Sequence, residues 1–309
     1  MNPAVSRAAV RALIACAGVL ALAAWLAPVA QAEEWTKSYE IPGRAQVRVT
    51  SNDAAVQMYT GESKHVEFRV YYDGYELNRT LHIDSRQDGD SVQINARVSG
   101  HWGFSWGKGR KVRIEVHMPK DADLQVETGD GSVDTQAING RLRIRTGDGA
   151  VRAQAVSGDV DIDTGDGGVT LDGAKGNIRL HTGDGHIDAH NLDGKVDASS
   201  GDGHIKIAGR LDALNVKTGD GSIDARLQPG SKIQSTWTIR TGDGSVDVVL
   251  PADLQANIDA STNDGHISLG IPVTVEGTFS NSQIHGKMNG GGQTLTIHTG
   301  DGSIRLSKT

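Results

Sequence analysis

Aspartate returns at a fixed interval along this chain, each time between two glycines. The tetrapeptide TGDG starts at Thr128, Thr146, Thr164 and Thr182, becomes SGDG at Ser200 and returns as TGDG at Thr218, one copy every 18 residues. The carboxylates concerned are Asp130, Asp148, Asp166, Asp184, Asp202 and Asp220; further copies follow at wider spacing at Thr241, Thr262 (as TNDG) and Thr299. If the copies stack, these carboxylates line one edge, and the chemistry such an edge offers is calcium binding, since hard cations want several converging oxygens. Solvent alone can also hold it, because two carboxylates one strand apart repel by only ~0.9 kcal/mol in water. Calcium β-rolls build an 18-residue coil from two GGxGxDxUx nonamers. Here the aspartate lies between the glycines, and one turn of two carries it. The structural reading of TGDG accounts for every residue, with glycine for a positive-φ corner, the Thr hydroxyl for the turn backbone, and Asp for an Asx-type turn.

Two further groups could do chemistry. His186 and His204 fall in one column of the repeat, each just after GDG, with His181 and His190 nearby. Stacked imidazoles beside carboxylates suit a transition metal. The same column holds Ser132, Ala150, Gly168, Ser222 and Ser245 elsewhere, so a small or polar exposed position is the plainer reading. Residues 99–110, SGHWGFSWGKGR, place Trp102, Phe104 and Trp106 between glycines. Aromatics so placed suit a contact with sugar, lipid interface or protein; the alternative is a lid hiding a sheet edge. The sequence has no P-loop, HExxH or CxxC. Ser, His and Asp come as members of repeat columns, whereas a catalytic set is singular, so no catalytic residue and no cofactor is expected.

The elements that hold these groups follow from the columns. The residue two after the second turn glycine is Val133, Val151, Val169, Ile187, Ile205, Ile223, Val246, Ile267 or Ile304. Half a coil later run Leu142, Val160, Ile178, Val196 and Leu214, and two residues on, Ile144, Ile162, Leu180, Ala198 and Val216. Apolar, often β-branched residues two apart are strand periodicity. A second break recurs at Gly140, Gly158, Gly176 and Gly194. Each coil is therefore strand, turn, strand, turn. Stacked coils give an all-β, parallel β-solenoid of two facing sheets, with about 18 residues per coil. Outward columns support the register: Arg143, Asp161, Arg179 and Asp197 alternate in sign on successive coils, and like charges there would be destabilising.

Composition bounds the rest. Residues 1–32 read as a signal peptide, with Arg7 and Arg11 before an apolar stretch that ends in Ala30-Gln31-Ala32. Its removal takes two basic residues from a chain of net charge −7. The balance that remains disfavours nucleic acid and anionic membrane as partners. The single cysteine, Cys16, goes with the signal, so no disulfide is expected. No later segment has transmembrane length. Residues 33–309 read as one solenoid domain, irregular over 33–125 and regular over 126–309.

The chain resembles the adhesin-type β-strand-repeat proteins of the DUF4097 family. The residues that carry the resemblance are a strand closed by Pro119 and followed by KDADL at 120–124, its echo VVLPAD at 248–253, and the ending GGGQTL at 290–295 before a last TGDG strand. It covers about residues 45–309. It implies the solenoid fold and an adhesin-like role, and it transfers no catalytic or binding residues. Many relatives have Ser where this chain has Asp in the turn.

These readings converge on a non-catalytic exported scaffold or adhesin-like protein of the periplasm or cell surface, whose partner is an envelope protein or glycan. The alternatives are a calcium-binding β-roll and a polysaccharide-acting β-helix enzyme. Calcium separates the first two. Circular dichroism of residues 33–309 should show the same β signal and melting in chelator as in millimolar calcium; a chain that folds only on adding calcium would promote the β-roll.

Overall fold

The computed structural model describes residues 33–99, 110–275 and 280–309; over these the chain forms 24 strands and no helix. The repeat columns become two rows of parallel strands. In one row Leu142–Thr146 pairs with Ala122–Thr128 on one side and Val160–Thr164 on the other, Leu142 opposite both Leu124 and Val160. In the other, Val151–Ser157 lies between Val133–Asn139 and the start of Val169–Thr182. The three long strands Val169–Thr182, Ile187–Ser200 and Ile205–Lys217 run through both rows. Partners are 18 residues apart, as in Ile178 with Val196. The charge columns meet as expected. Arg143 Nε donates to Asp161 at 3.0 Å, and Arg179 is placed between Asp161 and Asp197.

The core between the rows is thin and aliphatic. Val133, Val151, Val169, Ile187, Ile205 and Ile223 are all fully buried. A buried Val or Ile stabilises by about 1.5–3 kcal/mol, and each stacks on its counterpart one coil away. Trp237, also fully buried, comes just after the insertion in the coil that follows Leu227.

One feature of each coil is invisible in the apolar pattern. The buried positions run Val151, Ala153, then Val156, an odd step that moves the inward face from odd to even residues. The step is a left-handed kink shared in register by neighbouring coils: Gln154 and Val156 pair with Gln136 and Ile138, with Ala155 and Ala137 level between them. Both alanines have φ of 52°, and the same column continues with Gly173 at 75° and Asn191 at 55°. The column ends there, where pairing with the next coil shifts register between Ala189 and Leu192. Left-handed backbone costs an alanine roughly 1–2 kcal/mol, and the stack imposes it because the kink returns Ile138, Val156, Ala174 and Leu192 to the core.

The stack does not follow chain order at its ends, and here the expected succession of turns is corrected. Val246–Leu250 pairs with Ile304–Lys308, and that strand in turn pairs with Ile267–Leu269. In the other row Thr294–Thr299 lies between Trp237–Arg240 and Ala256–Thr262. The coil of Thr299 is thus inserted between those of Thr241 and Thr262. The gain is chemical as well as geometric, since Asp247 receives Arg305 as neighbour, 3.4 Å away. The beginning of the chain mirrors the arrangement. Ala45–Ser51 lies between Ser91–Val98 and Ala122–Thr128, and Ala55–Gly61 between Lys111–Pro119 and Val133–Asn139.

Antiparallel strands cover the outermost coils. Leu81–Asp88 covers Ser91–Val98, and His65–Asp73 with Glu33–Glu40 covers Lys111–Pro119. At the other end Gln283–Met288 covers Ala256–Thr262. Such strands blunt the open edges that would otherwise recruit other chains.

The kink generates a test. Ala155→Gly should raise stability by about 0.5–1 kcal/mol, read from the urea midpoint, because glycine reaches positive φ without penalty. A loss of stability would show that Ala155 is not held in the left-handed region.

Candidate functional site

The glycine corner is the repeated unit of the surface, and its geometry corrects the expected role of glycine. The glycines of TGDG are not among the positive-φ residues. They are required by close stacking: a Cβ on Gly149 would overlap the carbonyl oxygen of Gly131, and one on Gly167 that of Gly149. The second corner is the one that uses glycine's backbone freedom, with Gly158 at φ 140° and Gly176 at 133°.

The threonine of each turn is buried, and its hydroxyl ties one coil to the previous one. Thr182 Oγ1 donates to the carbonyls of Gly165 and Gly167, each at 3.0 Å, and accepts from the Gly185 N–H at 3.1 Å. Thr164 donates likewise to Gly147 and Gly149, and Ser200 to Gly183 and Gly185. The inserted coil keeps the pattern: Thr299 donates to Gly242 and Gly244, and Thr262 to Gly300 and Gly302. Asp does not close an Asx turn. Among the described residues the carboxylates of Asp130, Asp148, Asp166, Asp184, Asp202 and Asp220 accept no hydrogen bond, and all six are exposed.

Those six belong to a longer row. Gly300 stacks on Gly242, and Asn263 and Asp264 both donate to the Gly300 carbonyl. Asp243, Asp301 and Asp264 therefore continue the row in that order. At the other end the Gly129 and Asp130 N–H groups donate to the Asn52 carbonyl, which puts Asp53 before Asp130. The signal for Asp53 was in the sequence as SNDA at 51–54, a worn copy of TGDG. The row thus runs Asp53, Asp130, Asp148, Asp166, Asp184, Asp202, Asp220, Asp243, Asp301, Asp264, roughly one strand spacing of 4.8 Å apart.

His186 and His204 stack with ring centroids 5.4 Å apart and planes 14° from parallel. His186 lies over Gly168, where a Cβ would meet its ring. His190 pairs with Asp188 at 2.8 Å and His181 with Ser199 at 2.9 Å. Among the described residues no three His, Cys, Asp or Glu side chains converge as a metal site. Trp102, Phe104 and Trp106 lie outside the described residues.

The outer face of the first row, flanked by Ser235 and Thr236, forms a shallow concavity of about 620 Å³ floored by Arg143, Asp161, Arg179 and Asp197. At the second corner, burial pushes the Asp123 carboxyl up, but the Arg141 backbone N–H at 2.9 Å and the Arg44 guanidinium at 3.2 Å outweigh it and hold it below the ordinary carboxylate range. This contribution to stability is present above the unfolded carboxyl's pKa and fades as pH falls through the lower folded value.

The Toastrack family model, DUF4097, matches residues 45–307, and the chain belongs to that family. A search of curated proteins finds no significant match. Among solved structures, a "putative adhesin" from Parabacteroides merdae is 13% identical, with 89% of this chain and 96% of that one covered and a TM-score of 0.47. A "putative lipid binding protein" from Parabacteroides distasonis is 16% identical, with 88% and 96% covered and a TM-score of 0.42.

The hydroxyl ladder has a direct test. Thr182→Val keeps the shape but leaves the Gly185 N–H and two carbonyls short of a partner, and should cost about 1–3 kcal/mol. Thr182→Ser, which imitates Ser200, should cost much less. A larger loss for Thr182→Ser than for Thr182→Val in chemical denaturation would mean that the methyl group, not the hydroxyl, holds the corner.

Proposed function

We propose that this Toastrack-family chain is an exported, non-catalytic binding protein of the cell envelope that engages its partner through repetition. The observation that carries the reading is the aspartate row. Ten exposed carboxylates stand on one edge, each on a corner with a buried hydroxyl, and eight of the ten lie between two glycines. A rigid row of identical groups suits a partner that is itself periodic, such as an envelope glycan or a repetitive envelope protein. Many weak contacts then add as avidity. The side chains of the concavity on the other row are likewise members of repeat columns and not a singular set. The signal-type segment at residues 1–32 supports export, to the periplasm or the surface.

Co-sedimentation tests the reading. Purified residues 33–309 should pellet with isolated peptidoglycan sacculi or outer-membrane vesicles, and less so as salt rises, because exposed charges are screened. The triple variant Asp166→Asn, Asp184→Asn, Asp202→Asn should pellet several-fold less while melting no lower than the parent. Protein that stays in the supernatant with both fractions at low salt would remove the envelope-binding reading.

A further inference from the structure

One concavity is not a product of the repeat. It lies where the strands His65–Asp73 and Lys111–Pro119 meet the first glycine corners, and its volume is about 570 Å³. Sites for small molecules run from roughly 300 to 1,000 Å³. Tyr71, Tyr72 and Tyr75 line it, three of the chain's five tyrosines, in a protein whose aromatic content is 4%. Among the described residues the other buried aromatic rings, Phe68 and Trp237, stand singly in the core.

The rings are held by specific partners. The Arg110 guanidinium lies 5.6 Å from the centre of the Tyr75 ring, and that of Arg113 lies 5.0 Å from the centre of Tyr71. Cation–π contact of this kind fixes both members before a ligand arrives. Tyr72 is buried; burial first, then its hydrogen bond with Glu33, holds its phenol above the ordinary range, so it is a neutral wall. From the first two corners come Asp53 and Asp130, which head the aspartate row, with Ser132 beside them. Three carboxylates (Asp53, Asp73, Asp130) balance three cations (Arg110, Lys111, Arg113) around the same space.

We propose that this cleft binds a neutral oligosaccharide. Tyrosine faces take the C–H faces of sugar rings. Carboxylates accept from sugar hydroxyls and guanidinium groups donate to them, and such charge-assisted bonds are the stronger kind. The balance of three against three selects against strongly charged ligands. The repeat columns offer charge without aromatic rings, so the two surfaces differ in chemistry. The assignment rests on the reading of the chain as a binding protein and adds to it a ligand class and a place.

The probes are maltotetraose, cellotetraose and tetra-N-acetylchitotetraose, titrated separately into residues 33–309 and followed by calorimetry. At least one should bind with a Kd below about 10 mM, a weak affinity that calorimetry still resolves. Tyr71→Ala and Tyr75→Ala should each weaken it by about tenfold or more, as loss of an aromatic anchor does. Ser132→Phe fills the cleft while leaving every tyrosine in place and should have the same effect, which guards against a tyrosine variant that fails to fold. Absence of binding by all three sugars, or binding that survives in the folded variants, overturns the proposal. The envelope reading fails separately: pelleting with sacculi but no tetraose binding sinks the cleft alone. Tetraose binding lost in the cleft variants, with no pelleting, keeps the cleft and sinks the aspartate edge.

Discussion

Everything in this molecule depends on how closely two backbones can approach at the glycine corner. Coils one strand spacing apart leave no room there for a Cβ, because each glycine lies against the carbonyl of its counterpart. The approach brings those carbonyls within reach of the Thr hydroxyl, which bridges two of them from inside the stack. A buried hydroxyl is costly unless bonded, and bonded here it locks one coil to the next at the same point every time. The apolar columns supply most of the favourable free energy. The corner supplies the register, and the register sets where every outward side chain stands.

The columns were legible because an 18-residue period repeats each local decision several times. Val133 alone says little; Val133 above Val151 above Val169 says strand, face and neighbour together. The same redundancy made the pairing of Arg143 with Asp161 readable. The kink was not readable, because nothing about Ala137 or Ala155 marks a left-handed residue. Glycine at the TGDG corner was expected for the right position and the wrong reason: composition shows that a side chain is missing, not whether φ or space requires it. The tyrosine cleft escaped because its residues come from four separate stretches, around Asp53, Tyr71, Arg110 and Asp130, that only the fold brings together.

The two surfaces answer to different rules. The aspartate edge is a consequence of repetition, so its character changes only if many residues change. The cleft occurs once and is assembled from strands that cover the end of the stack, so single substitutions can alter it without disturbing the coils. The edge and the cleft share Asp53 and Asp130. A ligand in the cleft would therefore sit at the head of the row.

The order of strands at the ends bears on how the chain comes to be assembled. Ala45–Ser51, near the start of the described chain, finds both its neighbours in segments that come later. Thr294–Thr299, near the finish, must enter between two strands that precede it. A polypeptide threaded amino end first through a translocation pore would hold Ala45–Ser51 unsatisfied until residues 91–128 had emerged. It would also hold a gap in the stack until residues 294–308 had followed. Those residues work as a keystone. A product without them would lose a course from within the masonry, with the outermost courses left standing on nothing.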